Sequence, residues 1–152
     1  MAGVAEPPLR LVLDTNVVVA GLLWSGPPRR LMELAIAGDT IALFSSPALL
    51  DELTHTLGYP KFAPRLQAFD ASVAMLVSNY AALVSMVSPT TVLPVVLNDT
   101  DDDHVIAAAV AARAQMIVTG DRKHLLPIGS HQGIAIVTAR DLLDRLALGS
   151  DD

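Results

Sequence analysis

Asn98 to Asp121 reads NDTDDDHVIAAAVAARAQMIVTGD, and the order of its parts decides the fold. Four aspartates, Asp99, Asp101, Asp102 and Asp103, fall within five positions. An Ala/Val-rich helical run follows, then a short apolar run, then Asp121. Acids at a helix start have an ordinary use, because they cap free amides and complement the positive end of the helix dipole. One or two would suffice. Four together repel one another and suit something positive, most simply a divalent cation held by oxygen ligands.

Met116-Ile117-Val118-Thr119 has the character of a buried parallel strand, and Gly120-Asp121 follows at once. Ligands of open α/β sheets bind beyond the carboxyl ends of the strands. Asp121 is therefore expected at a site edge. The same arrangement stands near the N-terminus, where Leu11-Val12-Leu13 runs directly into Asp14. A bland alternative exists for each, since a strand-end aspartate also serves as a helix cap or turn residue. Two of them beside an acidic helix start favour convergence.

Working outward, the spacing predicts a first strand over Leu9–Leu13 and a short helix through Val17–Ala20. A second helix over Arg29–Ala37 stops at Gly38, a plausible C′ residue. A second strand covers Ile41–Phe44. Ser46-Pro47 starts a helix that carries Leu49, Leu50, Leu53 and Leu57 and places Glu52 near the strand ends. Phe69, Val73, Leu76, Val77 and Tyr80 form one apolar face of a long helix from about Pro64 to Leu83. Val84–Leu97 reads as a loop with one short edge strand. Thr100 and Asp103 resemble a capping box for the helix ending near Ala114. Asp103, and nearly as well Asp102, would face the sheet, whereas Asp99 and Asp101 suit capping or solvent. After Asp121 comes a loop with one helical turn, a last strand over Ile134–Val137, and a final helix from Thr138 and Asp141 to about Leu146. Alternation of strand and helix predicts a three-layer α/β sandwich: a central parallel sheet of four to five strands flanked by helices. One domain over 9–147 is expected, between a disordered tail at 1–8 and a short tail at 148–152.

The 152 residues are 52% hydrophobic and 17% charged, which implies a packed core rather than disorder. No apolar run approaches the ~20 residues of a spanning helix, so no membrane role is expected. Residues 1–8 lack the pattern of a signal peptide. Cysteine is absent, which excludes thiolate metal sites and fits a cytoplasmic location. A net charge of −6 is poor for binding nucleic acid through a bulk field, unless the acids are neutralised by metal. Arg29, Arg30, Lys61, Arg122 and Lys123 then remain as candidate contacts to an anionic strand. His55, His104, His124 and His131 show no metal-ligand spacing. No G-x-S-x-G, Walker or dinucleotide-binding motif is present.

Three segments carry a family resemblance: LVLDTNVVVAGLLWSGPP, SSPALLDELTHTLGYPKF and DTDDDHVIAAAVAARAQMIVTGDRKHLL. Together they resemble the PIN-domain family, in particular the VapC-like toxins of prokaryotic toxin–antitoxin systems. The match runs from about Leu9 to Leu146 with all four acidic stations in order. The resemblance implies a ribonuclease dependent on Mg²⁺ or Mn²⁺, with one or two ions per site and a 5′-phosphate product. It places the first acid on Asp14, the helix acid on Glu52, the third on Asp102 or Asp103, and the last on Asp121. Asn16 and Thr119 match polar positions that flank the site. An antitoxin partner is a further implication. Independently, the apolar stretch Gly21-Leu22-Leu23-Trp24 and the long helix around Tyr80 supply surface for a partner, a homodimer or an antitoxin peptide. Rival readings are a DNA nuclease of the same fold, an inactive partner-binding domain, and phosphoryl transfer through Asp14. The last would want an acid where Asn16 stands.

Overall fold

The computed structural model of the chain describes residues 7–89 and 100–149, and the side chains of these except 100–102 and 148–149. The elements run β1 (Leu9–Leu13), α1 (Thr15–Leu23), α2 (Pro27–Ala37), β2 (Ile41–Ser45) and α3 (Pro47–Leu57). A 3₁₀ turn at Pro60–Phe62, α4 (Ala63–Ala68), α5 (Val73–Leu83) and β3 (Ser85–Met86) follow. The chain then continues with α6 (Thr100–Ala112), β4 (Met116–Val118), a 3₁₀ turn at Leu126–Ile128, β5 (Ser130–His131), β6 (Ile134–Val137) and α7 (Ala139–Gly149).

The strands form one sheet in the order β3-β2-β1-β4-β6-β5. Every pairing is parallel except β5 with β6. Among the described residues the sheet thus has six strands rather than four or five. The short edge strand expected within Val84–Leu97 is β3, and the unexpected one is β5, whose two residues carry no periodicity that a sequence reading could detect. Leu11, Val12 and Leu13 are buried, yet alternate residues enter different cores. Leu11 and Leu13 join the cluster built with Val18, Leu23, Leu31 and Leu142, whereas Val12 joins that of Val105, Ala109 and Ile117. Helices cover both faces, which is why β1 reads as a continuous apolar run. The alanines Ala108, Ala109 and Ala112 are essentially fully buried, and their small side chains let α6 lie close against its face.

The long helix expected from Pro64 to Leu83 is two helices. Asp70 adopts a left-handed backbone (φ 51°), and Ala71 N–H donates back to Leu66 O at 2.9 Å. Ser72 then caps α5, its side chain accepting from Met75 N–H at 3.1 Å. Of the expected apolar face, Val73, Leu76, Val77 and Tyr80 pack on the core from α5, as Leu66 does from α4, whereas Phe69 at the break is exposed. Helix α1 starts earlier than expected, at Thr15, and α7 runs on to Gly149. The tail at 1–6, most of the loop to Leu97, Asp99, and the Thr100 side chain on which the capping box with Asp103 rests lie outside the described residues and side chains.

Candidate active site

The strand order reverses between β1 and β4, since β2 and β3 lie on one side and β6 and β5 on the other. A reversal of this kind opens a crevice at the carboxyl ends of the two central strands. Leu13 pairs with Val118 in register, so Asp14 leaves β1 beside Thr119 leaving β4. Asp14 N–H donates to Val118 O at 2.9 Å, which closes the strand pairing at this point.

Asp14 is 7% exposed and both carboxylate oxygens are engaged. Oδ1 accepts from Thr15 N–H at 2.8 Å and caps α1. Oδ2 accepts from the Thr119 hydroxyl at 2.8 Å. The Thr119 oxygen in turn accepts from Asp121 N–H at 3.0 Å. One buried threonine thereby fixes both strand-end acids. Asp121 Oδ1 accepts from Lys123 N–H and His124 N–H, each at 3.0 Å, which tightens the turn after β4.

Glu52 comes from the middle of α3, which Ser46 starts by accepting from Leu49 N–H at 3.3 Å. Its Oε2 accepts from the Thr15 hydroxyl at 3.1 Å. Its Oε1 lies 3.2 Å from His104 Nδ1. Both atoms are buried, and the pair is at ion-pair distance without hydrogen-bond alignment. His124 Nδ1 lies 3.5 Å from Asp121 Oδ2. Both histidines therefore stand against candidate carboxylates. Their sequence spacing gave no sign of this, because the His104 contact depends on how α3 and α6 pack.

Asp14, Asn16, Glu52, Asp121 and Lys123 line a single pocket of about 470 Å³, together with Thr15, Thr56, Tyr59 and His124. Asp103 is 4% exposed in the first turn of α6, adjoining His104. The Asp102 side chain lies outside the described ones. Arg29 and Arg30 sit away from this pocket, on α2. Arg29 Nη1 lies 3.5 Å from Gly21 O, and Arg30 pairs with Glu33 at 3.5 Å. Arg122 and Lys123 are exposed beside Asp121, and Lys61 lies over the Phe62 ring at 5.1 Å.

The family model of the PIN domain matches residues 10–123, which include β1, α3, α6 and β4. The chain belongs to the PIN-domain family. An uncharacterised protein of Methanocaldococcus jannaschii is 26% identical over 118 residues, covering 75% of this chain and 72% of that protein. Among solved structures, VapBC2 from Rickettsia felis bound to a DNA fragment from its promoter shares the fold. The TM-score is 0.55 at 13% identity, over 84% of this chain and 97% of the matched chain. The RRP44 PIN domain of T. brucei matches at a TM-score of 0.48 and 14% identity, over 97% of this chain and 86% of that one. Membership of the PIN-domain family supports a nuclease as the class of activity.

The donor set available to a metal is carboxylate oxygen, the type that Mg²⁺ and Mn²⁺ take. Among the described residues, no three of His, Asp or Glu lie close enough to ring one ion by themselves.

Proposed function

We propose that this PIN-domain protein is a VapC-like endoribonuclease that depends on Mg²⁺ or Mn²⁺ and acts in the cytoplasm. The observation that carries this reading is the pocket at the reversal of strand order, which Asp14, Glu52 and Asp121 all line. Asp14, Glu52 and Asp121, with Asp102 or Asp103, would hold one or two ions. Bound there, the metal would supply Lewis-acid charge to the phosphodiester and lower the pKa of water.

The protein's own groups do the positioning. Thr119 and Thr15 hold the carboxylates in fixed rotamers, so that little reorganisation accompanies the reaction. Lys123 lines the same pocket and offers positive charge to a phosphate at its rim. Water attacks phosphorus, the bond from phosphorus to O3′ breaks, and the products carry a 5′-phosphate and a 3′-hydroxyl. The testing experiment is cleavage of defined RNAs by wild type and Asp14→Asn, in Mg²⁺ and in EDTA. Equal cleavage in EDTA, or by the variant, removes the reading.

The same reading includes a protein partner, either an antitoxin or a second copy of this chain. It is supported by an apolar groove of about 490 Å³ between α1, α2 and α5, lined by Leu22, Met32, Ile36, Leu76 and Leu83. Ile36 is 72% exposed there, and Trp24 at the end of α1 is 41% exposed. Exposed apolar surface of this kind commonly marks an interaction site. Sedimentation across a concentration series tests the homodimer.

A further inference from the structure

We propose that Tyr59 is the base-binding wall of the acidic pocket, stacking on an unpaired nucleobase beside the phosphate to be cleaved. This rests on the nuclease reading above and names the unit that the pocket takes.

Tyr59 lines the pocket that Asp14, Glu52 and Asp121 line. It is 40% exposed, although a tyrosine placed only to close a helix end would gain by burying its ring. Its backbone is fixed from both sides. Tyr59 N–H donates to Thr56 O at 3.1 Å, and Tyr59 O accepts from Phe62 N–H at 3.0 Å. Pro60 follows, and the residue before a proline is held in the extended region, where Tyr59 lies at φ −64° and ψ 138°. The ring meets His55 edge-on, with centroids 5.3 Å apart and planes at 82°. The residue stays accessible beside this edge-on contact.

Such a ring solves a problem posed by the pocket. Its walls are acidic, and a nucleotide's phosphate is repelled by carboxylates wherever metal does not intervene. Stacking depends on apolar contact and polarisability rather than on charge, so it adds affinity without weakening the acidic centre. A pocket of about 470 Å³ is within the range that encloses a small ligand. A base within a duplex has both faces covered by its neighbours, so only an unpaired one can present a face to Tyr59. The strand that the pocket takes is therefore unpaired at that base.

The test compares wild type, Tyr59→Ala and Tyr59→Phe on a cleavable single-stranded oligoribonucleotide and on versions with one abasic position moved past the cut. Tyr59→Ala is expected to raise KM by roughly 5- to 150-fold, the worth of one stacked base. Tyr59→Phe should keep the wild-type KM. On the one substrate whose abasic position adjoins the cut, wild type and Tyr59→Ala should become equal. A Tyr59→Ala penalty that persists on every abasic substrate shows a merely structural role and overturns the proposal. So does an unchanged KM, or equal cleavage of paired and unpaired RNA by wild type. Should wild type cleave no RNA, the nuclease reading falls, and Kd for the same oligonucleotides decides this one. Binding that needs Tyr59 only when the base is present sustains it, and any other binding result, including none, overturns it.

Discussion

His104 Nδ1 stands 3.2 Å from Glu52 Oε1, across the packing of α6 on α3. The other Glu52 oxygen accepts from the Thr15 hydroxyl. A glutamate on a helix has three side-chain torsions to fix, and these two contacts reach one oxygen each. His104→Ala is expected to lower kcat or metal affinity about 10- to 100-fold, as loss of a group supporting a ligand does. Melting should be little changed, because the His104 side chain is one-third exposed. Wild-type activity in His104→Ala would show that Glu52 needs no such support.

Thr119 offers a cleaner separation of geometry from charge. Its hydroxyl donates to Asp14 Oδ2 and accepts from Asp121 N–H, and the residue is 1% exposed. Thr119→Val keeps the shape and removes both bonds, whereas Thr119→Ser keeps the hydroxyl. Activity in the valine variant should fall about 10- to 100-fold, and the serine variant should recover most of it. Steady-state kinetics on one RNA substrate distinguish the outcomes. Equal activity in all three would mean that the strand pairing alone positions the acids.

The strand-end acids were legible in the sequence because Asp14 directly follows an apolar run and Asp121 follows one after only Thr119 and Gly120. Glu52 was legible only through its helix start at Ser46. The histidines were not, since ligand spacing is a local criterion and His104 meets Glu52 from 52 positions away. The break at Asp70 was hidden for a related reason: the apolar spacing continues across it, and only a left-handed residue and the Ser72 cap mark the stop. The edge strand β3 was expected within Val84–Leu97, whereas β5 has only two residues, too few for alternation to be read. Gly58-Tyr59-Pro60 has the composition of a helix stop, so nothing in the sequence marks Tyr59 as a residue of the pocket wall.

Tyr80 is buried between α5 and the core, and its hydroxyl has no hydrogen-bond partner among the described residues. Removing such a group lifts a desolvation cost, so Tyr80→Phe should be neutral or stabilising by up to about 1 kcal/mol at neutral pH. Burial also pushes the Tyr80 hydroxyl above its ordinary value of about 10. A folded-state pKa above the unfolded one stabilises fully below the unfolded value and loses that contribution as pH rises beyond it. Wild type should therefore lose stability above about pH 10, and Tyr80→Phe should lose less. Denaturant midpoints between neutral and strongly alkaline pH check this. A variant with the same alkaline slope would assign the loss to other groups.

Metal binding should be visible in stability as well as in catalysis. Asp14, Glu52 and Asp121 line one pocket in the folded chain, whereas the unfolded chain holds them far apart. Like charges brought together in this way oppose folding. A divalent ion that binds only the folded state reverses the effect by mass action, worth about 2.7 kcal/mol at a hundred times Kd. For a chain of this length that corresponds to a Tm rise of roughly 5–10 °C. Asp14→Asn removes one charge while its side-chain oxygen can still accept from Thr15 N–H and cap α1. The variant should accordingly melt at or above wild type in EDTA, yet gain less from Mn²⁺. Melting curves of both proteins across a Mn²⁺ series separate the two effects. If the variant melts lower in EDTA and both proteins respond equally to Mn²⁺, the three acids do not share a metal, and the catalytic reading of the pocket loses its chemical basis.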